Sequence, residues 1–404
     1  PSMEACVTGF GAVARRQTPQ GHMMRAQVFE TIHDVDPQVW DALLNGRSIT
    51  FSHAFWKIIE ESRLNDFHYR YVLFRDEDDQ PVALATFYVV TTDIAIFSPP
   101  WLRRWLESVR RIFPGFFKLR MLECGTPIIL NSPPIVLHPD IDASEIVDKL
   151  HDVLKVYARK NGIFLVILRD FEQSESHWDL NFKKLGYHWV LGLPNTYLNI
   201  YWNSVDEYRA ALKSYYRSKI NNHLRKNAEL GVRHDVIEDF SGISDELCRQ
   251  WHVVHERANE FQREVLTSDF YRELSLRLDG RAKIIRFFRG DIFVGHALLL
   301  HDNDTLRWLY FGRSEPVNDS LYLYVIQAVI QTGIDLKVRR IEMGLTTYPI
   351  KLDVGARLEP IHYAICSTWS MLNPFIGWVY GLLNKPSSVQ DKAVFKTEDS
   401  DGSP

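Results

Sequence analysis

Only four cysteines, Cys6, Cys124, Cys248 and Cys366, occur in 404 residues, and they are widely scattered. Without a CxxC pair or a Cys/His cluster, neither a zinc site nor a disulfide framework is indicated. No metal is expected, and a reducing, cytoplasmic compartment is. No apolar run reaches the roughly 18 residues that a bilayer-spanning helix needs. The first residues lack the basic start and apolar core of a secretory signal, and residues 1–24 are expected to be a disordered leader. HExxH, P-loop, GxGxxG and Ser-His-Asp elbow patterns are all missing, so zinc-protease, nucleotide-kinase and hydrolase readings have no support. A large excess of one charge is missing too. The formal net charge of −4 gives no global pull towards DNA or an anionic membrane.

What is present is an ordinary globular composition, 46% hydrophobic and 24% charged, in a chain long enough for two cores. Residues 25–50 read as a strand and a short helix. Ser52 is placed to cap a second helix containing Phe55, Ile58 and Ile59. The runs YRYVLFRD and VALATFYVV read as a hairpin about EDDQP. The arginine- and aromatic-rich stretch 98–120 reads as a surface helix with one partly buried face, or as a peripheral membrane-surface element. Between 143 and 160 the spacing of Ile146, Leu150, Val153, Leu154 and Tyr157 predicts a helix. The continuous apolar run GIFLVILRD after it reads as a strand covered on both faces.

The stretch 204–231 reads as one helix, with Ser204 and Glu207 forming a capping box and Gly231 ending it. In that helix Arg209, Lys213 and Arg217 share a face, either as a solvated surface or as a phosphate-binding patch. Two helices are expected within 244–280, the second capped by Thr267 or Ser268. From Ala282 to Cys366 the order is β-β-β-α-β, a lysine-bearing loop and a last strand. Strands near 283–289, 292–300, 305–311, 339–343 and 360–367 should form one mixed sheet, crossed by a helix over 320–336. The last fifteen or so residues read as disordered.

Tyr310, Gly312, Gly333, Gly344, Tyr348, Lys351 and Gly355, placed on TLRWLYFG, the long helix and IEMG…K…G, make this half similar to GNAT-type acyltransferases. More narrowly it resembles the FemAB-type aminoacyl transferases and the CelD-like acetyltransferases. The resemblance implies an α/β (α+β) fold of two tandem GNAT-like domains, each a mixed central sheet flanked by helices. The expected limits are 25–202 and 203–372, with a tail over 373–404.

It also implies acyl transfer to an amine of a small molecule or cell-envelope precursor. The donor and co-substrate is then an acyl-CoA or a carrier-protein thioester, or, on the alternative reading, an aminoacyl-tRNA. A non-catalytic GNAT-like binding protein is a further alternative. The absence of a long coiled-coil arm favours the thioester. The usual Q/R-x-x-G-x-G/A phosphate loop is replaced by GRSEPVNDSLY, in which Pro316 and Asn318 suit a turn and Ser320 an N-cap.

Acyl transfer needs a neutral nucleophile, a polarised carbonyl and a proton for the leaving group. Lys351 is the expected cation, for a developing oxyanion or for a phosphate, and Tyr310 the expected general acid or substrate contact. Glu342 is expected either as a base or as a partner of Arg339 or Arg340. Tyr348 and His296, with the basic trio, are candidate substrate contacts. Gly312, Arg313 and Ser320 are candidate donor contacts, because amides at a helix start hold phosphates well.

Overall fold

A computed structural model describes residues 24–44, 46, 48–93, 100–116, 118–128, 134–257, 264–315, 320–345, 347–383 and 390–396. The expected leader lies outside these residues except for Met24.

The first half supplies strands β1 (Arg25–Phe29), β2 (His68–Arg75), β3 (Pro81–Asp93), β4 (Lys118–Cys124), β5 (Ile135–Leu137), β6 (Leu165–Glu172), β7 (His188–Leu191) and β8 (Asn195–Asn199). The second half supplies β9 (Val232–Ile237), β10 (Ala282–Arg289), β11 (Ile292–Asp302), β12 (Thr305–Arg313), β13 (Arg340–Gly344), β14 (Arg357–Glu359) and β15 (Ile361–Ser367). They form two mixed sheets. One has the order β1-β2-β3-β4-β6-β15-β7, with β5 on β3. The other runs β14-β8-β13-β12-β11-β10-β9. The molecule is thus the expected α/β tandem of two sheets flanked by helices.

Each sheet is built round a parallel pair joined through a helix, the arrangement such a pair requires. In the first sheet β4 and β6 are joined through α4 (Ala143–Lys160), and in the second β12 and β13 through α10 (Leu321–Asp335). The expected stripe on α4 is buried, and Asp142 caps its start by accepting from the Ser144 amide at 2.8 Å. Ser52 caps α2 (His53–Glu61) through the Phe55 amide, and Thr267 caps α9 (Ser268–Arg277) through the Phe270 amide. Gly290, in a left-handed conformation, turns β10 into β11.

The halves share an apolar core rather than a linker. Trp40 of α1 (Pro37–Ala42), Trp56 of α2 and Tyr71 of β2 belong to the same buried cluster as Trp251 of α8 (Ser244–His255), Phe270 of α9 and Leu298 of β11. Burial on this scale makes the two halves one cooperative unit.

Three expectations are corrected. The strand at 361–367 does not join the second sheet. It lies between β6 and β7 of the first, with Ser367 opposite Leu165 and Ile365 opposite His188. In exchange, β8 of the first half pairs with β13 and β14. An apolar strand pattern specifies faces but not a partner sheet.

Second, 204–231 is two helices, α6 (Val205–Ala211) and α7 (Ser214–Glu229). Leu212 and Lys213 between them are extended, and Leu212 is buried and bridged to Phe395. Third, residues 390–396 are ordered against that break. Val394 is buried, the Phe395 ring packs on Trp202, and the Lys213 amide donates to the Val394 carbonyl at 2.9 Å.

Candidate active site

β12 and β13 pair for only three residues, from Thr305 opposite Arg340 to Arg307 opposite Glu342. Beyond that point β12 continues to Arg313 along β11 alone, so the two strands part. The base of the parting is held by charge. The buried Arg307 guanidinium is paired with Asp302 at 2.9 Å and with Glu342. Glu342 also accepts from Asn195 Nδ2 at 2.8 Å. Both carboxylate oxygens are therefore engaged, and the cation is Arg307 rather than Arg339 or Arg340. Arg339 pairs with Asp304, and Arg340 pairs with Glu172 while lying 3.7 Å over the Tyr197 ring. A carboxylate so held anchors strands more readily than it takes a proton from a substrate.

At the parting β12 carries a bulge. Leu298 lies opposite Tyr310 but Leu299 lies opposite Trp308, leaving Leu309 extra. Leu306 and Trp308 pack under α10, whereas Leu309 and Tyr310 both pack into the core shared by the two halves. Strict alternation would put Tyr310 on the α10 side; the bulge turns it to the other. There its hydroxyl donates to Glu264 Oε1 at 2.9 Å, and its ring meets Trp251 and Phe270 edge to face. Burial, then Glu264, push the Tyr310 phenol well above its ordinary range. Burial raises the Glu264 carboxyl, while the Tyr310 hydrogen bond opposes the rise.

Lys351 lies on the short helix α11 (Tyr348–Asp353), which follows β13. It is buried, and its ammonium donates to the carbonyls of Gly344 at 3.1 Å and Leu345 at 3.0 Å. A cation is thereby fixed at the end of β13. The positive φ of Gly344 allows the strand to turn there. Tyr348 donates to the Pro194 carbonyl at 2.8 Å.

His296 is fully buried between Gln250 Oε1 (2.9 Å) and the Tyr271 hydroxyl (3.1 Å), and burial lowers its pKa to about 3. It sits directly behind Gly312, where a Cβ would stand 2.2 Å from the imidazole and 2.8 Å from the Trp251 amide nitrogen. Gly312 is therefore required by packing, and His296 is a neutral support with no surface for a substrate.

Arg313 ends β12, half-buried. Ser320 is the N-cap residue of α10 without a side-chain cap bond, and its carbonyl accepts from Asn227 of α7 at 3.1 Å. Pro316 and Asn318 fall outside the described residues.

The basic trio does not share one continuous face, because the break at Leu212–Lys213 separates its members. Arg209 pairs with Asp206 at 3.9 Å, Lys213 is the exposed N-cap residue of α7, and Arg217 donates to the carbonyls of Ala210 and Leu212 that end α6. The α7 cation tied to the site is Lys219, bonded at 2.6 Å to Asp353 of α11.

The sequence reading missed a buried cluster on the facing sheet. Arg169 contacts Glu123 at 3.3 Å and Asp170 at 3.0 Å, and Tyr88 donates to Glu123 at 2.5 Å. Asp170 has φ +68° at an irregularity in β6, backbone strain of a kind that collects at functional sites. Burial raises its carboxyl to about 6, against the pull of Arg169. The Arg169 charge also acts on Glu264. The signal was an Arg-Asp pair inside an otherwise apolar strand, a combination too costly to bury without partners.

Comparison with known proteins agrees with this architecture. A protein named 8-amino-7-oxononanoate synthase 2, from two strains of Mycobacterium tuberculosis, is 27% identical over 319 residues. The match takes in 77% of this chain and 41% of that protein, so the chain spans well under half the length of these curated relatives. Among solved structures, FemX superposes with a TM-score of 0.51 at 12% identity, covering 83% of this chain and 96% of its own. A tandem GNAT protein from the clavulanic acid biosynthesis pathway gives 0.50 at 10% identity, covering 86% and 99%. Residues 31–346 match the model of a family described as peptidoglycan biosynthesis/recognition. The chain belongs to this FemAB-like family.

Proposed function

We propose that the protein transfers an acyl group from a thioester, an acyl-CoA or an acyl carrier protein, to an amine on a small-molecule or cell-envelope precursor. The observation that carries this is the parting of β12 from β13 where the β12 bulge turns Tyr310 towards Glu264. The amide-bearing pantetheine arm of the donor, laid in that parting, extends the sheet by hydrogen bonds to the freed strand edges. Its phosphates would lie towards Arg313 and the start of α10. The acceptor amine enters between the sheets, where Glu264, Tyr88 and Arg169 supply polar contacts.

In this scheme the amine nitrogen attacks the thioester carbonyl and loses a proton to Glu264. The Lys351 charge stabilises the oxyanion. Tyr310 gives its proton to the departing thiolate, and Glu264 returns the proton to Tyr310. Amine and thioester become amide and thiol, with no proton left over. Glu342 and His296 hold this frame without touching substrate.

A second reading, transfer from an aminoacyl-tRNA, is favoured by family membership and shares the same geometry. Purified protein is incubated with radiolabelled acetyl-CoA, longer acyl-CoAs, acyl carrier protein thioesters and charged tRNA, and the donor that binds or transfers is recorded. Thioester binding supports the proposal. Use of charged tRNA alone replaces it with the second reading, and inertness towards every donor replaces it with a binding protein.

A further inference from the structure

One end of the first sheet carries an apolar surface that the fold does not explain. β4 and β6 run parallel with Met121 opposite Leu165, and β15 runs antiparallel to β6 with Ser367 opposite Leu165. Met121, the start of β6 and the end of β15 therefore lie side by side within two strand spacings, about 10 Å, and β4 begins three residues further out at the same end. Helix α3 (Pro100–Arg110) and the turn after it lead into β4, and the segment from Trp369 through α12 (Asn373–Leu383) follows β15.

Trp105, Ile112 and Phe113 on the first of these are each more than half exposed, as are Trp369, Met371, Phe375 and Trp378 on the second. Both segments are held in place. The Arg110 Nε donates to the Phe116 carbonyl at 2.9 Å, and the Trp105 and Phe116 rings lie 6.3 Å apart. Trp369 meets Phe164 at 6.4 Å, and Asn373 donates to the Gly186 carbonyl at 2.7 Å.

α12 carries no charged residue. One side packs on the sheet. A Cβ on Gly377 would stand 2.8 Å from the His188 ring, and the Tyr380 hydroxyl donates to the Leu191 carbonyl. At 100° per residue Phe375 and Trp378 fall on the opposite side, and Met371 precedes the helix, exposed. A helix apolar on both sides is a helix with two neighbours, and among the described residues only its sheet side has one.

The charge around this surface identifies the other. Between residues 100 and 120 there are six arginines and lysines against a single acid, Glu107, in a chain whose formal net charge is −4. Exposed Arg159 adds to them, donating to the Thr368 carbonyl at 3.5 Å just before Trp369. Exposed tryptophan and phenylalanine interleaved with arginine match the boundary of an anionic bilayer. Among the described residues no helix is long and apolar enough to cross it.

We infer that this end of the first sheet, α3 with its turn and the outer side of α12, docks the protein on an anionic lipid bilayer. The aromatic residues enter the headgroup region and the arginines face lipid phosphates. This docking does not depend on which acyl donor the other sheet binds.

Vesicle flotation tests it, with phosphatidylcholine liposomes alone and liposomes containing about 30% phosphatidylglycerol. The full chain should float with the anionic vesicles at low salt, and high salt should release it. Phe375→Ser with Trp378→Ser, and separately Arg104→Glu with Arg111→Glu, should each weaken partition at least about tenfold. All four side chains are exposed, so melting temperature should hold. Failure of the wild type to float, or undiminished flotation of both double variants, overturns the inference. So does a wild-type dimer in light scattering that the aromatic pair of substitutions dissolves without any vesicle binding, which would assign the surface to a second copy.

Discussion

Tyr310 and Glu264 form the pair on which the proposed chemistry turns, and each can be altered with little change of shape. Tyr310→Phe removes the proton donor and takes from the buried Glu264 carboxyl its hydrogen bond to the phenol. The expected results are a fall in turnover of about 10²–10³ and a stability loss of about 1–3 kcal/mol, read by initial rates and urea unfolding. Asp170 supplies a pH test. Its folded carboxyl titrates near 6 against an unfolded value of 3.8, so the folded state holds its proton more tightly. The stability it contributes is present below the unfolded value and is lost as pH rises through about 6. Unfolding free energy measured between pH 4 and 7 should fall more steeply in the wild type than in Asp170→Asn, and equal slopes would contradict the assignment.

Among the elements, β12 shows both what a sequence discloses and what it withholds. Its strand character, the α10 crossover and the β10–β11 hairpin are local patterns and were legible. The bulge at Leu309 was not, since it exists only as a register shift against β11. Alternation read along β12 would send Tyr310 to the wrong side. The break between α6 and α7 was hidden for a similar reason. It is stabilised by Val394 and Phe395, about 180 residues away, in a stretch that reads as polar tail.

Lys351 and Tyr310 could be picked out because they fit a family pattern. Glu264 and Arg169 belong to no pattern and are recognised only by what they touch. Gly312 tests the packing of these elements. Gly312→Ala should cost about 1–3 kcal/mol by overpacking, read as a lower urea midpoint. Adding His296→Ala should recover part of that loss, because the imidazole is the nearest obstacle.

Taken whole, the molecule is two sheets laced by an exchange of strands. β8 leaves the first half for the second sheet, and β15 returns to the first. The lacing fixes the order of the segments to which the proposed chemistry is assigned. β13 pairs with β8, and α11 with Lys351 lies between β13 and the return through β14 and β15. The shared core then sets Glu264, the partner of Tyr310, within reach of the Arg169 charge on the other sheet. Neither half would keep this arrangement alone, and limited expression of residues 203–372 should give an aggregated product rather than a binding-competent domain.

In the proposed function the parting of β12 and β13 receives a thioester donor. Hydrogen–deuterium exchange with and without a saturating acyl-CoA tests it without knowledge of the acceptor. Exchange should slow in peptides covering 308–313, 321–325 and 344–351, with β1 to β3 unchanged. No protection in those peptides, or protection confined to the first sheet, would contradict it.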